Sequence, residues 1–365
     1  MATLKVCHIT TVHKPFDDRI FHKECKTLVK AGYEVFLIAP HNKNLIIDGV
    51  KIIALPAVKT RLRRFFLLTL KAFHTALKLK ADIYHFHDPE LLPVGMMLKL
   101  LTRAKVIYDV HEDTPRQILS KGYIPKRLRT IISKIFETLE NFSAIKFDYL
   151  VTATPFIRNR FQKMGCKAID VQNMPLLSEF TNIKHDWSAK EKAVCYIGGI
   201  NKIRGLCEMV KAMNLLQDVK LYIAGPVERK EDESIIANSK NVKYLGNLKR
   251  DEIKNLFRKV IAGLVLFHPE DNHINAQPVK LFEYMSAGIP VIASNFYLWK
   301  EIVQSNHCGL CVNPLNPKEI AEGIQYLLTH QTEAQKMGEN GRKIILEKNN
   351  WEKESEKLLK IYNDL

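Results

Sequence analysis

The segment PVKLFEYMSAGIPVIAS, residues 278–294, joins a helical pattern directly to a strand pattern. Gly288 is expected to end the helix, because glycine accepts the left-handed conformation that follows many helices. The apolar, β-branched run after it predicts a buried strand. Lys280 and Glu283 are the only charged residues of the segment. A carboxylate in such apolar surroundings is poorly solvated, so we expect Glu283 to have a partner.

Short strand patterns alternate with longer amphipathic segments throughout the first half of the chain. Helical stretches are expected near 17–31, 61–79, 89–101 and 125–142. The strand candidates are LKVCHIT (4–10), YEVFLIA (33–39), DIYHFH (82–87), AKVIYDV (104–110) and YLVTAT (149–154). This alternation predicts a parallel α/β domain.

A polar stretch without clear periodicity, residues 173–192, interrupts the pattern and is interpreted as a linker. The alternation then restarts with AVCYIGG (193–199), VKLYIAG (219–225), VIAGLVLF (260–267), IPVIAS (289–294) and GLCVNP (309–314). We therefore predict one α/β domain over residues 1–185 and a second over 190–345. A terminal helix over 346–365 is expected to pack on either domain, with packing back on the first as one option.

The composition is that of a folded protein. The chain has 365 residues, of which 46% are hydrophobic, and its seven cysteines are scattered, which suits reduced thiols in a cytosolic protein. The N-terminal segment lacks the layout of a signal peptide, and the sequence has no apolar run long enough for a membrane-spanning helix. The expected location is the cytoplasm.

Positive charge is concentrated in the first half. The net charge is +16, and residues 1–190 hold 31 Lys and Arg against 17 Asp and Glu. Much of this charge alternates with apolar residues in the segments 59–80 and 121–134. Such segments dock on anionic membrane surfaces or form ordinary helices with a solvated basic face, and both interpretations remain open. Nucleic acid is not an expected partner, because the sequence has no recognised binding motif.

Two loops of the second domain are candidate ligand sites. In YIGGINKIRGL (196–206), Gly198 and Gly199 would let the backbone approach a phosphate, and Arg204 would neutralise it; a tight turn also needs glycine. In FHPEDNHINAQPVKLFEYM (267–285), Lys280 offers a cation for phosphate. The Glu283 carboxylate would accept hydrogen bonds from the two hydroxyls of a ribose. Alternatively, it has only a structural role and is stabilised by the helix dipole.

The first domain has three polar clusters after predicted strands. YDVHED (108–113) and HFHDPE (85–90) place histidines and carboxylates at the rim of the sheet, where His111 serves acid–base work or a structural hydrogen bond. A metal is not expected, since neither segment has zinc-ligand spacing. In HITTVHKPFDDRIFHKE (8–24), Asp17, Asp18 and Arg19 either cap a helix or contact the substrate of this domain.

Taken together, these segments resemble glycosyltransferase family 4, the retaining nucleotide-sugar-dependent enzymes with the GT-B fold. The resemblance runs along nearly the whole chain and is most specific in residues 278–294. It implies two Rossmann-like parallel-sheet domains that face each other across a cleft. The first would bind the acceptor, through Asp17, Asp18 and Arg19, and the second the nucleotide-sugar.

The resemblance also implies roles for single residues. Glu283 matches a family glutamate that binds the nucleotide ribose, whereas Asn275 stands where the family has a second glutamate near the donor sugar. Gly199 and Arg204 stand where the family commonly has Arg and Lys at the diphosphate. Lys280 is our own candidate for the missing cation. His111 matches the family histidine beside the reacting sugar.

The implied function is a retaining, metal-independent hexosyltransferase that moves a sugar from a UDP- or GDP-sugar onto a surface polysaccharide or lipid-linked acceptor. No cofactor is expected. The basic first domain favours peripheral contact with the inner face of the cytoplasmic membrane, where a membrane-surface acceptor would lie. Two alternatives stay open: a nucleotide-sugar 2-epimerase of the same fold, and a non-catalytic scaffolding subunit. Asn275 and the missing loop arginine motivate the second alternative.

Overall fold

The computed structural model describes residues 3–58, 60 and 63–365. They form two compact units, one of Met1–Asn173 with Lys353–Leu365 and the other of Met174–Glu352. We call them unit 1 and unit 2. Three residues of the basic segment 59–80, at positions 59, 61 and 62, lie outside the described residues.

Unit 1 is built on a sheet in the order β3-β4-β2-β1-β5-β6-β7-β8, eight strands among the described residues. All neighbouring strands are parallel except β3 and β4. The strands are β1 (Lys5–Ile9), β2 (Glu34–Pro40), β3 (Leu45–Ile47), β4 (Val50–Leu55), β5 (Ile83–Phe86), β6 (Lys105–Val110), β7 (Tyr149–Thr152) and β8 (Ala168–Asp170). The helices are Ile20–Cys25 continued by Lys26–Lys30, Arg64–Leu68 continued by Thr69–Leu79, Pro89–Leu91 continued by Leu92–Leu101, Thr114–Ser120, Lys126–Ala144 and Pro155–Gln162.

The sequence patterns predicted β1, β2, β5, β6 and β7 but missed β3, β4 and β8. Strands β3 and β4 form a hairpin whose turn residues, Asp48 and Gly49, have φ of 50° and 81°. Asp-Gly is a favoured pair for two-residue hairpin turns, because both positions need positive φ.

Unit 2 has a parallel sheet in the order β11-β10-β9-β12-β13-β14. The strands are β9 (Ala193–Ile197), β10 (Lys220–Ala224), β11 (Val242–Tyr244), β12 (Ala262–Val265), β13 (Val291–Ser294) and β14 (Gly309–Val312). The helices are Leu177–Phe180, Trp187–Ala189, Lys202–Arg204, Leu206–Met213, Lys230–Ala237, Arg250–Lys259, Asp271–Ile274, Val279–Ala287, Tyr297–Val303, Pro317–Thr329 and Gln331–Glu347. Gly288 has φ of 76° and ends the helix Val279–Ala287, as predicted.

The division between the units differs from the predicted one. Unit 2 begins at Met174, and not near residue 190, because Phe180 and Ile183 are buried in its core. The polar composition of residues 173–192 concealed these two apolar anchors. The last helix, Trp351–Asn363, starts in unit 2, and its residues from Lys353 onward belong to unit 1.

Within the described residues, no helix combines the length and the apolar character that crossing a membrane requires.

Candidate active site

The loops after β9 and β12 meet at the point where the strand order of the unit 2 sheet reverses. These two strands are parallel neighbours. Ligands of open α/β sheets bind beyond the carboxyl ends of the strands at such a switch point. The first loop carries Gly198, Gly199 and Arg204, and the second leads to Lys280. The structure therefore brings four of the predicted donor-site residues together.

Glycines in the first loop make room for the two cations. Gly198 has φ of 136°, and a Cβ there would lie 2.5 Å from Lys280 Nζ. A Cβ on Gly199 would lie 2.5 Å from Arg204 Nη1. Asn201 accepts a hydrogen bond from the Arg204 backbone N–H at 2.9 Å and so fixes the short helical turn that carries this arginine. A larger side chain at either glycine would therefore displace one of the two cations.

Lys280 is held in an aromatic environment. Its Nζ donates a hydrogen bond to Tyr196 Oη at 2.9 Å and lies 4.2 Å from the centre of the tyrosine ring. Burial and the neighbouring Arg204 guanidinium lower the pKa of Lys280 well below its usual value, although Glu283 opposes this shift. Two cations that repel each other at short range favour an anion between or beside them.

Glu283 has a partner in the protein, as its apolar surroundings led us to expect, but the partner was not foreseen. Its Oε1 accepts a hydrogen bond from Arg250 Nη1 at 2.6 Å. Arg250 begins the helix Arg250–Lys259, and its guanidinium lies 5.5 Å from the centre of the Phe180 ring. The Glu283 side chain is 14% exposed. The ribose role of Glu283 stays a prediction.

Asn275 directly follows the short helix Asp271–Ile274, in the loop that precedes Lys280. Two side-chain carbonyl oxygens nearby, Asn272 Oδ1 within that helix and Gln277 Oε1 in the loop, are buried and find no hydrogen-bond partner in the described part of the chain. A buried polar atom without a partner is costly, so both atoms are candidates for ligand contact. Neither residue was predicted from the sequence, although the density of amide side chains in residues 267–285 was a signal.

In unit 1 the strand order reverses between β1 and β5. Asp88, which follows β5, holds the loop after β1 by accepting hydrogen bonds at its Oδ2 from the backbone N–H of Thr11 at 2.6 Å and of Val12 at 3.1 Å. The hydroxyl of Thr10 donates to the same oxygen at 2.9 Å. Asp88 thereby fixes the loop that leads to Asp17 and Asp18. It lies in the predicted HFHDPE cluster, but it is buried and not at the rim.

Arg19 lies in the interior of unit 1, which corrects its predicted contact with the acceptor. It is 3% exposed. Its Nε and Nη2 donate to the two oxygens of Asp109, both at 3.0 Å, and its Nε also lies 3.0 Å from Glu24 Oε1. The remaining nitrogen, Nη1, donates to the carbonyl of Val171 at 2.7 Å. A guanidinium with all of its nitrogens engaged inside the protein has a positioning role. Asp109 is likewise buried and not at the rim.

Three histidines share the sheet face of Asp109. Residues on this face alternate along β1, β5 and β6 with the core residues of the opposite face. His8 Nδ1 and His87 Nε2 are 2.9 Å apart, and His85 Nδ1 forms a hydrogen bond of 2.7 Å with Tyr362 Oη from the last helix. Burial lowers the pKa of His87 to about 4 and those of His8 and His85 well below the usual value. These imidazoles are neutral near pH 7.

His111 is the outermost member of this network. Its Nε2 lies 3.1 Å from Asp109 Oδ2 and 3.1 Å from His87 Nδ1, and its side chain is 17% exposed. Asp109 in turn is fixed by Arg19. An imidazole oriented by a buried carboxylate and open to a ligand is suited to hydrogen bonding or proton exchange.

Asp17 caps the helix that begins at Ile20. Its Oδ1 accepts from the backbone N–H groups of Arg19 at 2.9 Å and Ile20 at 3.0 Å, and its Oδ2 lies 3.1 Å from His13 Nδ1. Burial alone would raise the pKa of Asp17, but the bonds from His13 and Ile20 lower it well below the usual range. The structural alternative for Asp17 is thus observed. Asp18 is exposed in the same loop.

Glu24, His85, His87 and Asp109 are the residues of this network that could hold a metal ion, since their ligand atoms all lie within 4.8 Å of one another. The Arg19 guanidinium, however, already lies against both carboxylates. Burial and the neighbouring Asp109 also raise the pKa of Glu24 well above its usual value, which favours a neutral acid there. The charges of the cluster are therefore balanced by arginine and a proton.

Both halves of the chain match families of known proteins. Residues 18–173 match the family described as Glycosyltransferase Family 4, and residues 178–344 match the family described as Glycosyl transferases group 1. The chain is a glycosyltransferase of the family 4 type. The transferase is 23% identical over 306 residues to an uncharacterized glycosyltransferase of Methanocaldococcus jannaschii, covering 78% of this chain and 75% of that protein.

Solved structures agree on the fold. The transferase superimposes on sucrose-phosphate synthase of Thermosynechococcus elongatus with a TM-score of 0.81 at 16% identity, covering 99% of this chain and 98% of that one. HepE of Anabaena, solved in complex with UDP and glucose, gives a TM-score of 0.76 at 14% identity, covering 99% and 100%. The predicted GT-B class is confirmed. Together the comparisons favour a transferase over the epimerase and scaffolding alternatives.

Proposed function

We propose that this transferase moves a hexose-type sugar from a UDP- or GDP-sugar to a surface polysaccharide or lipid-linked saccharide, with retention of anomeric configuration and without a divalent metal. The observation that carries the proposal is the convergence of Arg204 and Lys280 on the glycine turn after β9. A nucleoside diphosphate leaving group develops negative charge as the anomeric bond breaks. Two fixed cations at a strand end are suited to stabilise that charge.

The remaining donor contacts are assigned by position and chemistry. Glu283 lies one helical turn after Lys280, so its carboxylate accepts the ribose hydroxyls while Arg250 holds it in place. Asn275, together with the unpartnered amides of Asn272 and Gln277, is our candidate for binding the donor sugar. The complex of HepE with UDP and glucose supports a UDP-sugar as the first donor to test.

In unit 1, His111 contacts the donor sugar or phosphate during transfer, oriented by Asp109. Asp17 and Asp18 mark the loop proposed to meet the acceptor, and Arg19 is withdrawn from that role. For retention, the acceptor hydroxyl attacks from the side of the leaving group, and the departing phosphate takes its proton. The proposed place of action is the inner face of the cytoplasmic membrane, where lipid-linked acceptors are available.

A thermal-shift screen against UDP, GDP, ADP and their common sugars in the presence of a chelator tests the donor site. A ligand that binds the native state raises the melting temperature, by an amount that depends on its concentration relative to Kd. We expect a shift with UDP or GDP that Glu283→Ala abolishes. The matched control Glu322→Ala, on the exposed face of the helix Pro317–Thr329, should keep it.

Product analysis tests the reaction. Incubation with the donor identified by the screen and with saccharide acceptors should yield a product whose new linkage has the anomeric configuration of the donor sugar. His111→Ala should lower kcat and leave the nucleotide-induced thermal shift in place. An inverted linkage, or a requirement for added divalent metal, would contradict the mechanism. Absence of any nucleotide-induced shift would contradict the donor site itself.

A further inference from the structure

Helix Lys126–Ala144 turns its apolar side away from the protein. Ile131, Ile135, Leu139 and Phe142 are each 55–59% exposed. Their spacing of three and four residues places them on one stripe of the helix. Helices at the surface of a globular protein ordinarily bury such a stripe. Here the usual orientation is reversed.

The inward side of the same helix is mixed: Phe136 and Ala144 pack against the apolar core of unit 1, and the other inward contacts are polar. Ser133 Oγ donates to the carbonyl of Pro115 at 2.7 Å, and Glu140 Oε1 accepts from Tyr108 Oη at 3.0 Å. Glu140 also pairs with Arg160, and Glu137 pairs with Arg116. The helix is thus held on unit 1 by hydrogen bonds and ion pairs. The stripe of Ile131, Ile135, Leu139 and Phe142 lies on the exposed side of the helix, away from these contacts.

Two neighbouring helices also carry exposed apolar side chains. Leu92–Leu101 contacts both Lys126–Ala144 and Thr69–Leu79. Leu100 and Leu101 are exposed on Leu92–Leu101, and Phe66 and Leu67 are exposed on Arg64–Leu68, which continues into Thr69–Leu79. We call this surface the apolar face; it consists of Phe66, Leu67, Leu100, Leu101, Ile131, Ile135, Leu139 and Phe142.

The border of the apolar face is basic. Residues 121–146 contain six lysines and arginines and only two acids, Glu137 and Glu140. Both acids point inward to arginine partners. Lys126, Arg127 and Lys134 are exposed on the helix itself. Apolar side chains with a basic margin are the pattern of helices that lie in the surface of an anionic membrane.

We propose that the apolar face docks unit 1 on the surface of a bilayer that contains anionic lipids. The charge of the basic border favours a lipid surface over a second copy of the chain. If two copies joined face to face, the lysines and arginines of their borders would repel each other. The lipid surface instead supplies the negative charge that the margin lacks. The part of this inference that concerns where a lipid-linked acceptor is bound rests on the proposed function. Binding of the protein to lipid does not itself require a nucleotide-sugar.

Vesicle sedimentation tests the docking. Wild-type protein is mixed with phosphatidylcholine vesicles that contain about 30% phosphatidylglycerol, or none, at about 0.1 M and 0.5 M salt. We expect binding to the anionic vesicles that weakens with salt. Ile135→Asp/Leu139→Asp adds two negative charges, each worth about fivefold in partitioning, and removes two apolar anchors. Its partition constant should fall at least about 25-fold.

The matched control is Leu215→Asp/Leu346→Asp, which makes the same kind of change at two exposed leucines of unit 2. It should bind vesicles like the wild type. Because the altered side chains of both variants are exposed, both should fold and keep the nucleotide-induced thermal shift. Nucleotide binding without vesicle binding would overturn the docking alone, and the reverse result would overturn the donor site alone.

Two other outcomes would also overturn the proposal. Equal binding of the wild type and of Ile135→Asp/Leu139→Asp would show that the apolar face takes no part. Sedimentation equilibrium that shows a dimer lost in this variant, with no binding to either vesicle, would make the face a subunit interface. A second variant, Arg127→Glu/Lys134→Glu, keeps the apolar stripe and should lose the preference for anionic vesicles; an unchanged preference would contradict the role of the margin.

Discussion

Replacing Arg19 by methionine would remove a buried cation that faces two buried carboxylates. In the native protein its nitrogens lie 3.0 Å from oxygens of both Asp109 and Glu24. At an effective dielectric constant of 20, the pair with the ionised Asp109 attracts by about 5 kcal/mol before the cost of desolvation. Glu24 adds no full ion pair, because its raised pKa favours the neutral acid. Breaking a buried pair from one side usually costs about 3–5 kcal/mol, because the remaining charge is left unpaired. We expect Arg19→Met to lower the free energy of unfolding by about this amount.

The loss should depend on pH. Burial alone would raise the pKa of Asp109, but Arg19 holds it well below its usual range. In the wild type, the contribution of Asp109 to stability is therefore present above the unfolded pKa of about 3.9 and disappears as the pH falls through the lower folded value. Without the guanidinium, burial dominates and the folded carboxyl takes up a proton. The variant should then regain stability relative to the wild type as the pH falls from about 7 to about 5.

Urea denaturation at several pH values measures both effects. Arg158→Met is the control, since Arg158 pairs with Asp170 while its side chain is 30% exposed. Asp170 is itself buried, but Lys357 Nζ stays 3.7 Å from its Oδ2 when Arg158 is removed, so the carboxylate is not left unpaired and the control should lose only about 1 kcal/mol. Equal losses of stability in the two variants would refute the buried ion pair of Arg19 as the cause. It is also refuted if the loss in Arg19→Met is the same at pH 5 and pH 7.

The other predictions concern the donor site. Gly199→Ala should displace the Arg204 guanidinium from a charge-assisted contact worth about 1.5–3 kcal/mol and so weaken UDP binding, measured by calorimetry, roughly 10- to 100-fold. The control Gly122→Ala changes a glycine with open space around it and should leave the UDP affinity unchanged. Equal UDP affinities of the two variants would contradict the assignment of Arg204 to the diphosphate. Because burial and Arg204 lower the pKa of Lys280, its charge is lost at a lower pH than that of an ordinary lysine, so UDP affinity should fall as the pH rises toward about 10.4. Lys280→Met should bind more weakly at pH 7 and lack this decline; a parallel decline in both proteins would exclude Lys280 as its cause.

Much of the fold was predictable from local patterns. Alternating strand and helix signals identified most strands of both sheets, and Gly288 marked a helix end correctly. The hairpin of β3 and β4 was missed although Asp48 and Gly49 are a strong local signal for it. The boundary between the units was misplaced because Phe180 and Ile183 are isolated apolar residues in a polar stretch. Their burial depends on tertiary packing that no local pattern encodes.

The candidate site was predictable where it follows strand ends and unpredictable where it depends on long-range pairs. Gly198, Gly199, Arg204 and Lys280 could be placed together because the loops after parallel strands share one edge of a sheet. Nothing in the sequence links Glu283 to Arg250. Arg250 begins a different helix, and the sequence around it has no recognised ligand-binding motif.

The interior network could have been anticipated in part. His85 and His87 alternate with Tyr84 and Phe86, and a strand covered on both faces buries every residue. The same reasoning would have placed Asp109 inside and not at the rim. That Arg19 is its partner depends on helix packing, so it was out of reach of the sequence.

The route of the last helix has a consequence for synthesis of the chain. Tyr362, which hydrogen-bonds to His85, leaves the ribosome only after the whole of unit 2 has been made. At about 5–20 residues per second, residues 174–352 take roughly 10–35 s. During that interval the nascent first unit lacks the phenol that meets its histidines, and a fragment that ends at Asn173 would keep this defect permanently. Expression of unit 1 by itself therefore requires the C-terminal helix to be supplied, fused or in trans.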